Sequence, residues 1–478
     1  MKRLIAFLIF ACLYNSASAL VVFDPNYTAE IYATYSGSNV GIPHDMTFGD
    51  SNNLYITQRS NGGVIWCVDE HGVTIQFVSG LNKPRGIDWG GGTGYGDYLY
   101  VALTGVDELV KISTTGIVSH FSRVVDSPAP VEIDRVGNYG NFLYTATFGW
   151  DKTYKVTTGG SVIKFSNFPG DYGNAGPFAI GFDPSSDYEG SMYIGTTAWG
   201  GSSGPDGLFK MNTSGGTTRF VSELRDVFAI EFDDIGYFNG NMFVTGSIVG
   251  VGSGICRVMP DGTASLFIQQ TYDAMRAFTF GSDGAMYVAE YSSNSNTVVI
   301  NRVIQTIIPV ALDIKPESCP NPLNLNSKGT LSAAILGSQE LDVNTIDVNS
   351  IRLVGVSAIR SSLEDIAAPV ADANDCNCTI EGPDGYIDLA LKFKNQKVVE
   401  QIFKDYNGDL AKEQTLGLEL RGKLLDGSNI GGSDCVKLVG NVPKWLEAKR
   451  CDGNEDGVVN LLDLAELAAS WLESCGPE

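Results

Sequence analysis

Three consecutive runs decide the fold: Leu99-Tyr100-Val101-Ala102-Leu103, then Glu108-Leu109-Val110-Lys111-Ile112, then, past a turn at Gly116, Val118-Ser119-His120-Phe121. Each is short, rich in β-branched and aromatic residues and bounded by turn residues, so together they read as strands of a meander. A fourth strand starts before them at Arg85-Gly86-Ile87. The unit recurs along the chain. A hydrophobic residue followed by an aromatic stands at Leu54-Tyr55, Leu99-Tyr100, Leu143-Tyr144, Met192-Tyr193, Met242-Phe243 and Met286-Tyr287, which spaces the aromatics by 45, 44, 49, 50 and 44 residues. About ten residues ahead of each pair a strand begins, reading His44-Asp45-Met46, Arg85-Gly86-Ile87, Val131-Glu132-Ile133, Phe178-Ala179-Ile180, Phe228-Ala229-Ile230 and Arg276-Ala277-Phe278. Four strands per unit of roughly 45 residues, six times over, predict a six-bladed β-propeller.

The sixth unit lacks its fourth strand, and Thr28-Ala29-Glu30-Ile31-Tyr32-Ala33 resembles the missing one. Pairing the two ends of the array would cover edges that an open sheet leaves exposed. The expected fold class is therefore all-β, with the propeller over residues 20–308. From residue 309 the periodicity stops and alternating runs such as Tyr386-Ile387-Asp388-Leu389-Ala390-Leu391 predict a small β-sandwich over 309–440. Residues 441–478 are expected to form a third, EF-hand-like helical module.

Composition narrows the classes of function. The 478 residues carry 32 Lys+Arg against 55 Asp+Glu, a net charge of -23, which argues against a nucleic-acid partner. Glycine, at 56 residues, fits many tight turns. Residues 1–19 read as a signal peptide: Lys2 and Arg3, an apolar run from Leu4 to Tyr14, and Ala17-Ser18-Ala19 before a cleavage point after Ala19. That run is shorter than the roughly 20 residues of a membrane span, and no later segment could span either. The expected location is extracellular. Removing Lys2, Arg3 and Cys12 leaves a net charge of -25 and eight cysteines, read as disulfide candidates in an oxidising compartment. Four of them, Cys319, Cys376, Cys378 and Cys435, lie in the sandwich module. Bridges among these are the preferred reading, over a four-thiolate zinc site, because C-x-C lacks the gap common in zinc knuckles.

The last thirty residues carry the sharpest motif. Asp452, Asn454, Asp456, Asn460 and Asp463 place side-chain oxygens at loop positions 1, 3, 5, 9 and 12, with Gly457 at position 6 and the Val458 carbonyl available at position 7. Such an oxygen set suits Ca²⁺, and the glycine permits the sharp turn. Leu461, Leu464, Ala465, Ala468 and Leu472 follow at helical spacing, so a helix begins inside the loop. Cys451 and Cys475 bracket loop and helix.

Three resemblances follow from these residues. The phasing and turns of the repeats resemble the NHL-repeat, streptogramin-lyase-like and gluconolactonase-like propellers, families that include lactonases, lyases and binding platforms. The phrase Ile314-Lys315-Pro316-Glu317-Ser318-Cys319-Pro320-Asn321-Pro322 resembles the start of an uncharacterised secreted module. The terminal loop and helix resemble a dockerin type I repeat, which implies a cohesin-like partner or cell-surface assembly; dockerins usually carry two such loops, and one is visible here.

For the propeller, strand starts and the loops after the second strands share one end of the ring. His44, Asp45, Arg85, Glu132 and Arg276, with Glu290, are the polar candidates there, and Phe178 and Phe228 stand at the equivalent points of blades four and five. Trp150 and Trp199 lie six residues past Tyr144 and Tyr193, in equivalent loops. Paired indoles beside charges suit a sugar. Two functions are expected. The chain is a secreted binding protein for a glycan or protein, with a Ca²⁺-dependent C-terminus; alternatively it is a hydrolase or lyase in polysaccharide catabolism, with His44 and Glu132 as acid and base. Gluconolactonase-like enzymes hold a divalent metal with Glu, Asn and Asp, and no Asn stands at the matching strand starts here.

Overall fold

The computed structural model describes residues 20–59, 62–147, 152–167, 175–198, 206–369, 376–406 and 410–443. The chain divides into two compact units, Met1–Gln305 and Thr306–Glu478. The calcium loop at 452–463, Cys451 and Cys475, residues 1–19, Trp150 and Trp199 all lie outside the described residues.

The first unit is six four-stranded antiparallel blades in sequence order. Blade two runs Pro84–Trp89, Tyr98–Leu103, Glu108–Ser113 and Val118–Arg123, inner strand first. In blade six the outermost position is taken by Tyr27–Ser36, paired from Tyr27↔Gln305 to Ser36↔Thr297, so the segment around Thr28-Ala33 does complete the last sheet. Val21–Val22 adds a short fifth edge to blade five. The hydrogen-bonded ladder itself is not closed: each blade is a separate sheet, and no ladder among the described residues joins one blade to the next.

Side-chain packing does that joining. The apolar core is cut into six slabs, one between each pair of neighbouring blades and one between blades six and one. The repeated aromatic of each blade lies in the slab shared with the following blade. Tyr55 packs with blade two, Tyr100 with blade three, Tyr144 with blade four, Tyr193 with blade five, Phe243 with blade six and Tyr287 with blade one. The 45-residue repeat is thus the repeat of an interface: a fully buried aromatic ring supplies more apolar area than any other single position.

Blades two to five add a clamp. Five residues ahead of the repeat aromatic stand Tyr95, Tyr139, Tyr188 and Phe238. The Tyr188 hydroxyl donates to the Val258 carbonyl at 2.6 Å and accepts the Met242 amide at 2.9 Å, both in the next blade. Tyr139 does the same with Met211 and Met192, and Tyr95 with Val156 and Leu143. Phe238 has no hydroxyl; the Tyr27 ring stacks on it at 4.6 Å. An aspartate fixes each clamp loop in blades three to five. Asp183, for instance, accepts the amides of Ser185, Tyr188 and Gly190.

The second unit has two sheets around one core. One joins Ile307–Pro309, Pro322–Asn324, Ile346–Leu353, Val356–Ser357, Thr415–Leu424 and Asn429–Val439; the other joins Leu312–Ile314, Thr330–Ile335, Arg360–Glu364 and Asp388–Lys394. Leu323, Leu331, Ile351, Phe393, Leu418 and Val436 meet in the core with Val399 and Ile402 of a helix, Asn395–Asp405, that strand alternation did not predict. Two short strands pair in parallel with Asn429–Val439. The four cysteines form two disulfides, Cys319–Cys378 and Cys376–Cys435, so none of these thiols is left for zinc. Not every cysteine pairs: Cys67 and Cys256 are free and buried in different slabs of the propeller.

Candidate functional site

Five of the six inner strands slip their pairing register near their start. The slips fall between Pro43 and Asp45, Pro84 and Ile87, Pro128 and Val131, Pro177 and Ala179, and Met275 and Ala277. In blade five the inner strand is interrupted between Arg225 and Ile230. A bulge leaves an extra residue unpaired and re-aims its side chain. Proline, which has no amide to donate, opens four of these breaks: Pro43, Pro84 and Pro128 as the first residue of the strand, and Pro177 at the bulge itself. The residues so presented are His44, Arg85, Ala129, Phe178, Phe228 and Arg276.

Four of these side chains, Arg85, Phe178, Phe228 and Arg276, meet across the ring. The Arg85 guanidinium lies 4.5 Å over the Phe178 ring and that of Arg276 lies 4.4 Å over Phe228. The two phenyl rings contact each other edge to face at 5.6 Å. His44 feels Arg85, Arg276 and Arg59, and burial together with these three cations holds its pKa well below the usual imidazole value, so it is neutral near pH 7. Burial, then Arg59 and Arg276, pull the Arg85 guanidinium down to about 9. The upper tier is therefore divided. Blades six, one and two present cationic or basic groups; blades three, four and five present Ala129, Phe178 and Phe228.

Glu132 does not belong to this tier. Its register partner is Tyr144, which makes it equivalent to Asp88 opposite Tyr100 and Glu231 opposite Phe243, not to Arg85 or Phe228. The residue of blade three that matches His44 is Ala129, three positions earlier, about 10 Å away at roughly 3.3 Å per strand residue. Val131-Glu132-Ile133 is thus offset by two residues from the other strand starts, because Pro128-Ala129-Pro130 carries the bulge. His44 and Glu132 are not brought together as acid and base.

Glu132 instead helps form an acidic lower tier around a cavity of about 310 Å³, lined from all six blades by residues including Asp45, Asp88, Glu132, Gly181, Glu231 and Thr279. Arg135 is its cation, bidentate to Asp88 at 2.8 and 2.9 Å and 3.7 Å from Glu132. Asp45 and Asp88 also staple blades together: Asp45 accepts the Ile87 amide of blade two at 3.0 Å and Asp88 the Ile133 amide of blade three at 2.8 Å. Burial raises the Asp45 carboxyl to about 7. Burial and neighbouring carboxylates push Glu132 and Glu231 well above the usual range. Gly181 stands between these two on blade four, where a Cβ would come within 2.7 Å of Ile230.

Glu290 is fully buried, and its carboxylate accepts the amide and hydroxyl of Thr271, which fixes a blade-six loop and takes it off the surface of the mouth. Asp88, Arg135 and Glu231 escaped the sequence reading, as did Arg59. A signal for the lower tier existed: Asp88, Glu132, Gly181 and Glu231 each stand twelve residues before the repeat aromatic of their blade.

A divalent metal of the gluconolactonase-like kind does not fit the upper tier. It presents three guanidiniums and one imidazole, and Asp45, the adjacent carboxylate, is engaged by two amides. Among the described residues no group of three or more His, Cys, Asp or Glu is placed to hold a metal ion. Among them, too, no helix is long and apolar enough to cross a membrane.

No family model matches the chain. No curated protein matches it either. Among solved structures, it is similar to a streptogramin B lyase at 15% identity, over 59% of this chain and 98% of that one, with a TM-score of 0.41. A virginiamycin B lyase from Staphylococcus aureus follows at 12% identity, 59% and 100% coverage and 0.40. A gluconolactonase from Xanthomonas campestris stands at 11% identity, 61% and 96% coverage and 0.44. At these scores the likenesses transfer no activity to this chain.

Proposed function

We propose that the chain is an exported binding protein whose propeller holds an anionic group of a glycan or protein at the upper tier, and whose C-terminal segment attaches it elsewhere through a Ca²⁺ loop. One observation carries the first part: Arg59, Arg85 and Arg276 are gathered around His44 on one half of the mouth, facing Phe178 and Phe228 on the other. Like charges brought together in a partly buried site repel one another, and an anion bound among them relieves part of that cost. In a chain of net charge -23 a local cationic patch is selective by contrast, since the remaining surface repels anions. The facing rings supply an apolar wall, so a ligand with an acid on one side and an apolar face on the other matches both halves.

Hydrolase or lyase chemistry is the weaker reading. It requires an acid and a base converging on one bond, and the histidine and Glu132 stand in different tiers. The loop at 452–463 and the signal peptide support export and attachment by sequence alone; a cohesin-like partner is the corresponding proposal.

The test is a glycan and peptide array with the full chain, repeated with Arg85→Lys and Arg276→Gln. The expected result is retention of acidic ligands only, with a loss of about tenfold or more in each variant, the size of one charge-assisted hydrogen bond. Equal retention of neutral and acidic ligands, or binding indifferent to both substitutions, would overturn the reading.

A further inference from the structure

Beside the upper tier, between blades five and six, lies a cleft of about 320 Å³ lined by Asp226, Phe228, Ser247, Ser253, Asp273 and Arg276 among others. That is the small end of ligand-site volumes, roughly 300–1,000 Å³, and suits a single ring better than a chain. Ser247 and Ser253 are directly opposed across the hairpin of blade five. Gly246 beside them admits no side chain, because a Cβ there would lie 2.8 Å from the Arg225 carbonyl. Asp226 has a left-handed backbone, φ 53°, and Asp206 accepts its amide at 2.8 Å. Lys83 and Ser127 take the same left-handed backbone two residues ahead of Arg85 and Ala129, so this turn belongs to the frame and sets where Asp226 stands. Asp273 accepts the Ser293 amide, which anchors it at the rim.

The charges in this cleft conflict with simple ligands. Two carboxylates repel a plain anion, and Arg276 repels a plain cation. A ligand satisfies all of them when it donates hydroxyls to Asp226 and Asp273, exchanges hydrogen bonds with the two serines and offers an acid to Arg276. Resting on the anionic-mouth reading, we infer that this cleft is a subsite for one acidic sugar residue, its acid on Arg276 and its hydroxyls on Asp226, Asp273 and the Ser247/Ser253 pair, with Phe228 as the apolar wall.

Calorimetric titration of the full chain with methyl glucuronide, cyclohexanecarboxylate and methyl glucoside separates the two proposals. The glucuronide has ring, hydroxyls and acid; the second probe lacks hydroxyls and the third lacks the acid. Glucose 6-sulfate shows whether a sulfate ester can replace the carboxylate. The expected order places the glucuronide at least tenfold tighter than cyclohexanecarboxylate, with the glucoside weakest. Ser253→Trp should bring the glucuronide down to the cyclohexanecarboxylate level, and Asp226→Asn, which removes a repelling charge, should tighten cyclohexanecarboxylate and close the gap between the two acids. If both carboxylates bind equally, or Ser253→Trp leaves the glucuronide unaffected, the subsite is overturned and the anionic mouth stands. If neither acid binds, both proposals fall. Tighter binding of phenylalanine than of the glucuronide would also overturn the subsite, in favour of a zwitterion.

Discussion

His44 and Asp45 are adjacent in sequence yet serve opposite electrostatic environments: the histidine faces three arginines, while the aspartate neighbours Asp88 and the lower-tier acids. The bulge at their junction separates the two. Below it, burial and the carboxylates of Asp88, Glu231 and Asp45 raise Glu132, burial with Asp45 and Asp88 raises Glu231, and Arg135 is committed to Asp88. A carboxyl whose folded pKa is raised favours the folded state while protonated and loses that advantage as pH rises from its unfolded value, about 4.3, towards the folded one. Glu132→Gln and Glu231→Gln should therefore raise the propeller's melting midpoint at pH 8, by several °C on the order of 1–2 kcal/mol, and change it little at pH 4. Calorimetric scans at the two pH values check this; equal shifts at both would show that the acids are ordinary. The two tiers were half legible in the sequence. Residue types at the strand starts were visible, but bulges obey pairing register, and only the distance to the repeat aromatic, fifteen residues in blades two to five and eleven in blades one and six, reveals it. Arg85 stands fifteen residues before Tyr100 and Phe178 fifteen before Tyr193, whereas Glu132 stands twelve before Tyr144.

At the scale of the element, blades two to five spend four more residues between their first two strands than blades one and six do, counted from the bulge residue to the aromatic. Those residues make the loop that carries the clamp aromatic, fixed by an aspartate in blades three to five. Tyr139→Phe keeps the ring and removes a hydroxyl bonded to Met192 and Met211, leaving a buried amide and carbonyl without that partner. It should destabilise the propeller by about 1–3 kcal/mol. The same exchange cannot be made at the fourth site, where phenylalanine already stands and Tyr27 stacks on it. A midpoint unchanged in Tyr139→Phe would refute the clamp. The strands and their order were readable because each aromatic must fill the same slab. The clamp was not, since five-residue spacing between aromatics marks no single strand or helix face. The helix Asn395–Asp405 was missed for a related reason: it is 11 residues long, flanked by strands, and begins without a side-chain cap.

For the molecule as a whole, the two units carry different kinds of reinforcement. The propeller is held by six apolar slabs and interblade hydrogen bonds, with Cys67 and Cys256 unpaired; the second unit closes two loops of 59 residues by disulfides. The proposed calcium loop at 452–463 adds a third kind, and a cation bound only by the folded form must stabilise it, by about 2.7 kcal/mol at one hundred times its dissociation constant. A chelator should accordingly lower one melting transition of the full chain and leave the propeller's in place, and Asp456→Ala should abolish the difference. Insensitivity to chelator would remove calcium from the proposal. The bulges have a consequence for how such a molecule changes over generations. The slabs, clamps and ladders that keep the blades together use other positions, so the six presented residues, in order His, Arg, Ala, Phe, Phe, Arg, form a short word that can be respelled letter by letter while the frame that displays it stays intact.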